Sequence, residues 1–320
     1  MGKSASKPQP NTADLDSPRL LLLGASGQVG NAWQQWLSDR VSLSCPVQAP
    51  TREELDLRDL AAVRDCVLRT APDLIVNAAA YTAVDQAESE PEEAHTLNAA
   101  LPAVLARSAH DVGAALLHYS TDHVFAGTGD QAHREDAPLQ PLSIYGRTKA
   151  MGESGIREHL DRHLILRTSW VMGPHGHNFL KTVLKLASEQ AHLRVVDDQV
   201  GTPTPAHLLA AMGWLAWRHC VHAQATSHPA APWGLYHLTA RGSTTKWGYA
   251  RFIVNEARAQ GWRLRAGPEQ VMPINSADYP SPAPRPHNAR LDVSRFERTF
   301  QVTLPSWEEG VRATLVELKG

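Results

Sequence analysis

The sequence predicts an α/β fold, a doubly wound parallel sheet with a smaller C-terminal lobe. Three observations carry this. Short unbroken apolar runs recur at residues 20–23, 74–76, 114–117 and 164–166. Helix-patterned segments lie between them. A glycine-rich turn at 24–30, GASGQVG, follows the first run directly. Strands that are apolar at every position are buried on both faces, which is the mark of parallel sheets covered by helices on each side.

Taken in order, residues 1–18 are polar and rich in Pro and Ser, and read as a disordered extension. They lack the apolar segment of a secretory signal. The opening MGKSAS formally fits a myristoylation pattern, but the rest of the chain reads as a soluble enzyme. The run 20–23 is the first strand. Residues 31–40 form a helix with Trp33, Trp36 and Leu37 on one side. A second strand is expected over 41–47, and helices over 59–69 and 94–109. Beyond Val171 the alternation loosens. Residues 208–217 read as a helix, 222–232 as a loop and 234–239 as a strand. Residues 280–286, PSPAPRP, must be an extended surface segment, because proline fits neither a helix interior nor a central strand. The expected division is a dinucleotide-binding domain over 19–172 plus about 203–240, and a substrate-binding lobe over 173–202 and 241–320.

Composition narrows the function. A formal net charge of −2 gives no reason to expect nucleic acid or a membrane surface as partner. The three cysteines, Cys45, Cys66 and Cys220, have no CxxC spacing and form no disulfide framework. A reducing, cytoplasmic setting fits best. His219, Cys220 and His222 crowd together, but no fourth ligand stands at zinc spacing, so no metal site is expected. His175 and His177 flank Gly176 in a loop and are expected at the surface.

The turn after the first strand has the spacing GxxGxxG. Gly24, Gly27 and Gly30 suit a dinucleotide fingerprint of the Rossmann type: a tight turn, a close approach of pyrophosphate to backbone, and close helix–strand packing. The following helix N-terminus presents unpaired N–H groups to the phosphates. After the second strand the chain runs Pro50-Thr51-Arg52, with no acid until Glu53. Arg52 suits a ribose 2′-phosphate, which favours NADPH over NADH; a solvated surface charge is the alternative.

Tyr145 and Lys149 stand four apart in SIYGRTK, so they share one helix face. Free tyrosine is a poor acid, and a nearby ammonium lowers its pKa. A shift of about three units needs about 4 kcal/mol. Thr121 ends the strand HYSTD at the crest of the sheet, where parallel sheets carry their ligands. The set suits ketone reduction: Tyr145 gives the proton, Thr121 holds the carbonyl oxygen, and Lys149 also grips the nicotinamide ribose.

Seven segments, GASGQVG, VNAAAYTAVDQAESEPE, HYSTDHVF, YGRTK, RTSWV, DDQVGTPT and RPHNARLD, resemble the extended short-chain dehydrogenase/reductase family, in that order and from Arg19 onward. The resemblance implies Thr121, Tyr145 and Lys149 as the catalytic set. It implies cofactor contacts at Gly27, Gln28 and Val29, at Asp56 and Leu57, at Ala80, Tyr81 and Thr82, and at Tyr119. For a sugar nucleotide it points to Thr121, Asp122 and Trp170. Read from the residues alone, Asp122 either accepts a sugar hydroxyl or caps its loop, and Trp170 either stacks on substrate or fills the space between lobes. Arg285 either meets the diphosphate through its forked donors or is solvated. Two departures stand out. Ala289 replaces a serine usual in the C-terminal motif. The stretch Asn31-Ala32-Trp33 lacks the acid that bridges some dimers through a metal, although a homodimer remains possible. The implied activity is reduction by NADPH of the C4 ketone of a dTDP-linked 4-keto-6-deoxy sugar. Another 4-keto nucleotide sugar, or a non-catalytic dinucleotide-binding subunit, is the alternative.

Overall fold

The computed structural model describes residues 17–39, 46–226 and 231–319. Residues 1–16 of the expected 1–18 extension, with its myristoylation pattern, lie outside the described residues, as do 41–45 of the expected second strand.

The first half alternates strand and helix: β1 (Leu20–Leu23), α1 (Gln28–Ser38), β2 (Val47–Gln48), α2 (Leu60–Thr70), β3 (Leu74–Asn77), α3 (Pro91–His95), α4 (Leu101–Val112), β4 (Ala115–Thr121), α5 (Ile144–His159) and β5 (His163–Thr168). The second half adds β6 (Val171–Met172), α6 (Phe179–Glu189), β7 (Leu193–Val196), β8 (Val200–Gly201), β9 (Thr204–Pro205), α7 (Ala206–Ala225), β10 (Gly234–His237), β11 (Thr244–Thr245), α8 (Lys246–Ala259), β12 (Val271–Ile274), α9 (Ser294–Phe300) and α10 (Trp307–Lys319).

Six strands form one sheet in the order β10-β5-β4-β3-β1-β2, and every pair is parallel. The doubly wound reading follows from the side chains of β1. Leu20 and Leu22 join Trp33 and Trp214 on the face covered by α1 and α7, while Leu21 and Leu23 join Val63 and Leu105 on the face of α2, α4 and α5. All four leucines are buried, as an unbroken apolar strand requires. The strand order reverses at β1, with β2 on one side and β3 on the other. A crevice at such a switch point is where open α/β sheets receive ligands.

Several boundaries differ from expectation for local reasons. The first helix starts at Gln28, because the glycine turn ends at Gly27. The helix expected over 94–109 begins at Pro91, whose missing N–H suits a first helical turn, and contains a π-helical segment at Thr96–Ala100. The helix expected over 208–217 runs from Ala206 to Ala225, so the start of the expected loop at 222–232 is helical; 227–230 lie outside the described residues. His219 packs edge-on against Phe300 and Cys220 is buried in the core. The 280–286 segment carries no strand or α-helix.

The C-terminal lobe is held by smaller pairings. β12 runs parallel to β7, and β11 pairs antiparallel with β8. Tyr249, Trp307, Phe252 and Phe179 form its aromatic centre. No helix among the described residues is long and apolar enough to cross a membrane.

Candidate active site

The glycine turn sits at the C-terminal end of β1. Gly24 has φ +78°, and a Cβ there would stand 2.6 Å from the Ala79 nitrogen beyond β3. A Cβ on Gly30 would stand 2.1 Å from the Gly24 carbonyl oxygen. Both positions therefore need glycine to keep the turn tight against the neighbouring strand end. Gly27 caps α1 without a side-chain hydrogen bond, so the first N–H groups of the helix, at Gln28, Val29 and Gly30, receive no oxygen from their own cap. A bare helix N-terminus in a glycine cradle fits a dinucleotide's phosphates. Gln28 does something further: its amide oxygen accepts from Asn178 at 2.9 Å and its amide nitrogen donates to the His177 carbonyl at 3.3 Å. It ties the turn to the loop before α6, where His175 and His177 are exposed.

The end of the crevice beyond β2 is polar. Arg52 is exposed after β2. Asp56 takes Arg58 in a bidentate pair, with a shortest distance of 2.7 Å, and this contact lowers its pKa to about 2. Arg58, which sequence reasoning passed over, also reaches Glu93 at 3.7 Å. Leu57 is half-buried and packs against the core behind the loop. Ala80, Tyr81 and Thr82 follow β3. Tyr81 is pinned by Asn98 of the π-helical segment, whose Oδ1 accepts from Tyr81 N–H at 2.9 Å and whose Nδ2 donates to the Tyr81 carbonyl at 3.1 Å. Asn98 Nδ2 also reaches the Thr148 hydroxyl at 3.3 Å, so one buried amide joins this loop to α5. No spacing rule marks a lone Asn inside a helix pattern.

The crest of β4 gathers hydroxyl and carboxylate groups at the mouth of the crevice. Ser143 caps α5 by accepting from Gly146 N–H at 3.1 Å, which sets the start of the helix that presents Tyr145 and Lys149. Thr121 is buried, hydrogen-bonds with the Tyr145 phenol, and donates to Asp122 Oδ1 at 3.0 Å. The other Asp122 oxygen, Oδ2, is buried and has no hydrogen-bond partner among the described residues. A buried acceptor without a donor beside a tyrosine and a threonine is a place for a hydroxyl from a bound molecule. His123 stacks edge-on against Tyr145, with 5.3 Å between ring centres.

Lys149 shares a helix face with Tyr145, but no hydrogen bond joins the two side chains among the described residues. Burial pushes the phenol up to about 12, and the Thr121 hydrogen bond opposes that rise only in part. Lys149 Nζ is turned toward β4 instead, donating to the Tyr119 carbonyl at 2.6 Å and lying 3.1 Å from His118 Nε2. Burial brings its own pKa down to about 8. Tyr119 thus meets the site through its carbonyl. Its phenol is committed to the sheet's other side, accepting from Trp33 Nε1 at 2.8 Å and donating to the Leu209 carbonyl at 2.9 Å.

A family model described as the RmlD substrate binding domain matches residues 18–319, essentially the whole described chain. The chain belongs to that family. It is similar to the dTDP-4-dehydrorhamnose reductases of Shigella flexneri, at 43% identity, and Escherichia coli K12, at 42%; each match covers 93% of this chain and 97% of the relative. Among solved structures it resembles dTDP-4-dehydrorhamnose reductase from Bacillus anthracis in complex with NADP, with a TM-score of 0.83 and 30% identity over 94% of this chain and 99% of that one. A Clostridium acetobutylicum structure described as a dTDP-4-dehydrorhamnose reductase gives 0.82 and 30%, covering 94% and 100%.

The RmlD-family chain closes its cleft with residues from the second half. Trp170 holds a left-handed backbone, φ +42°, uncommon for a bulky residue and worth about 1–3 kcal/mol of strain. Its ring lies under the Lys246 ammonium at 3.8 Å and stacks on Tyr249 at 6.3 Å. Lys246 is also 4.7 Å from the Phe179 ring. Burial lowers its pKa to about 8, with Asp122 pulling the other way and Arg285 adding to the fall. Sequence reasoning missed Lys246, because nothing at position 246 separates it from a solvated helix start. Arg285 is partly exposed and paired. It grips Asp85 with both nitrogens, at 2.6 and 2.7 Å. Ala289, in place of the usual serine, is buried, and its N–H donates to the Val200 carbonyl at 2.7 Å.

Proposed function

We propose that this chain uses NADPH to reduce the C4 ketone of dTDP-4-dehydro-L-rhamnose, giving dTDP-L-rhamnose. The observation that carries this reading is the meeting of Thr121, Tyr145 and the bare Asp122 oxygen at the crest of β4, two strands from the glycine turn on β1. When bound, the reduced nicotinamide supplies hydride to the carbonyl carbon. Gly24, Gly27, Gln28, Val29 and Gly30 would hold the phosphates, Arg52 or Arg58 the adenosine end, and Ala80 to Thr82 the flank of the crevice.

The chain's own residues do the rest. On binding, the Thr121 hydroxyl turns its one hydrogen from Asp122 Oδ1 to the ketone oxygen and keeps that oxygen against the Tyr145 hydroxyl. Tyr145 is protonated at neutral pH, since burial holds its pKa high. It therefore has a proton to give, which goes to the oxygen as the alkoxide forms. The phenolate left behind calls for a positive neighbour, and Lys149 is the cation within one helical turn. Asp122 Oδ2 accepts a sugar hydroxyl. Trp170 and Lys246 frame the substrate side, Lys246 placing a cation where a diphosphate needs one. Residues 19–172 with 203–240 serve the dinucleotide and 173–202 with 241–320 the sugar nucleotide. A cytoplasmic homodimer fits the same reading.

The test is NADPH oxidation by purified protein against a panel of 4-keto nucleotide sugars, with the product sugar identified by NMR. Oxidation with dTDP-4-dehydro-L-rhamnose and a rhamnose product is expected. Turnover of a different 4-keto sugar alone would replace the substrate, and silence across the panel with a co-purifying protein would replace the enzyme by a regulatory subunit.

A further inference from the structure

Behind Lys149 runs a chain of buried groups whose donors and acceptors can be assigned one by one. Ala79 N–H donates to Asn77 Oδ1 at 3.2 Å. That contact fixes the amide, so Asn77 Nδ2 carries its hydrogens toward His118 Nδ1, 3.0 Å away. His118 Nδ1 is then the bare, accepting nitrogen. His118 is wholly buried, and burial holds its pKa well below the ordinary histidine range, so the ring is neutral and its one N–H sits on Nε2. That N–H faces Lys149 Nζ at 3.1 Å. An ammonium carries donors only and would set N–H against N–H. A neutral amine has a lone pair for the His118 N–H and still keeps a hydrogen for the Tyr119 carbonyl.

We propose that Asn77 and His118 are positioning residues that set the protonation equilibrium of Lys149 and, through it, the alkaline limit of the reduction. The inference rests on the reductase reading above. Other groups around the amine are accounted for. On its own helix stand Tyr145, one turn back, and Glu153, one turn on, which favours the ammonium but is already matched by Arg167 of β5 at 2.6 Å. From β4 come His118 and the Tyr119 carbonyl, and from β3 only the uncharged Asn77. Burial opposes the charge, and His118 is the group outside α5 whose N–H faces it. The ammonium that steadies the Tyr145 phenolate is held against this opposition and is given up as pH rises.

Two experiments test this. Side-chain ¹⁵N NMR of histidine-labelled, dinucleotide-free protein is expected to show His118 with a protonated Nε2 and a bare Nδ1. The reverse tautomer overturns the proposal, whatever the substrate proves to be. The second is the pH profile of kcat/KM for Asn77→Asp and His118→Leu. Asn77→Asp keeps the acceptor for Ala79 and adds one for His118 Nδ1–H, turning the bare Nε2 toward Lys149. His118→Leu removes the opposing N–H. Both are expected to move the alkaline limb upward by about one pH unit. A limb left in place in variants that fold normally overturns the proposal. Absence of turnover in the unmodified protein would instead strike the reductase reading, and the NMR result would stand apart from it.

Discussion

Glu153 and Arg167 lock together behind the active cleft, Arg167 Nη2 donating to Glu153 Oε2 at 2.6 Å and Nε to Oε1 at 2.8 Å, with both side chains almost wholly buried. Ser120 donates a third hydrogen bond to Glu153 at 2.5 Å. The pair fastens β5 to α5 one turn beyond Lys149. Removing one partner leaves a buried charge uncompensated. Arg167→Leu is expected to lower stability by about 3–5 kcal/mol, read from urea unfolding. A loss under about 1 kcal/mol would mean that water reaches the pair.

Tyr145→Phe removes the hydroxyl and keeps the ring that His123 packs against. Turnover should fall about 10²- to 10⁴-fold, the usual scale for losing a general acid. NADPH affinity, measured by fluorescence titration, should be nearly unchanged. Near-normal turnover would mean that another group delivers the proton.

Gly30→Ala places a methyl group 2.1 Å from the Gly24 oxygen, against backbone that cannot move without opening the turn. Overpacking of this kind costs about 1–3 kcal/mol. NADPH binding by calorimetry should weaken by about tenfold or more, and unaltered affinity would show that the phosphates do not use this turn.

Lys246→Met keeps the aliphatic length against Trp170 and Phe179 but drops the charge. KM for the nucleotide sugar should rise about tenfold, as expected for the loss of one charge-assisted contact. NADPH affinity should hold. A fall in kcat with KM unchanged would place Lys246 in the chemistry rather than in binding.

Stability should depend on pH in three regimes. Lys149 and Lys246 both fall to about 8 when buried. Between about pH 8 and the ordinary lysine range the unfolded chain holds more protons than the folded one, so stability climbs with pH. Tyr81 and Tyr145 are pushed up to about 12, so above about pH 10 the folded chain keeps protons that the unfolded chain releases, and stability falls. On the acid side burial brings His237 down to about 3, so the unfolded chain takes up a proton first and stability drops below about pH 6. The melting temperature should peak between about pH 8 and 10, and Lys149→Met should flatten the rise leading to that peak. A level curve from pH 7 to 9 would mean that both amines are hydrated.

What the sequence disclosed followed from strong local signals. Four leucines in a row suit a doubly covered strand, and GASGQVG after it suits a sharp turn into a helix. Thr121, Tyr145 and Lys149 were legible because strand end and helical spacing bring them to one edge. The aim of Lys149 was not, since spacing reports a shared helix face and says nothing of a histidine on the neighbouring strand. Lys246, Asp85 and Asn98 were invisible for a related reason. Each acts through a contact far along the chain, Asp85 with Arg285 across 200 positions. Arg58 lay two residues from a named aspartate but was overshadowed by Arg52.

The sheet's outer strand, β10, is drawn from residues 234–237, long after the other five. A fragment ending before Gly234 would retain the whole glycine turn, Tyr145 and Lys149, yet leave the backbone of β5 unpaired along one edge, an invitation to stick to other copies. Cutting this protein into a tidy cofactor module for study is therefore a poor strategy: the boundary that looks natural in the chain runs straight through a hydrogen-bonded ladder.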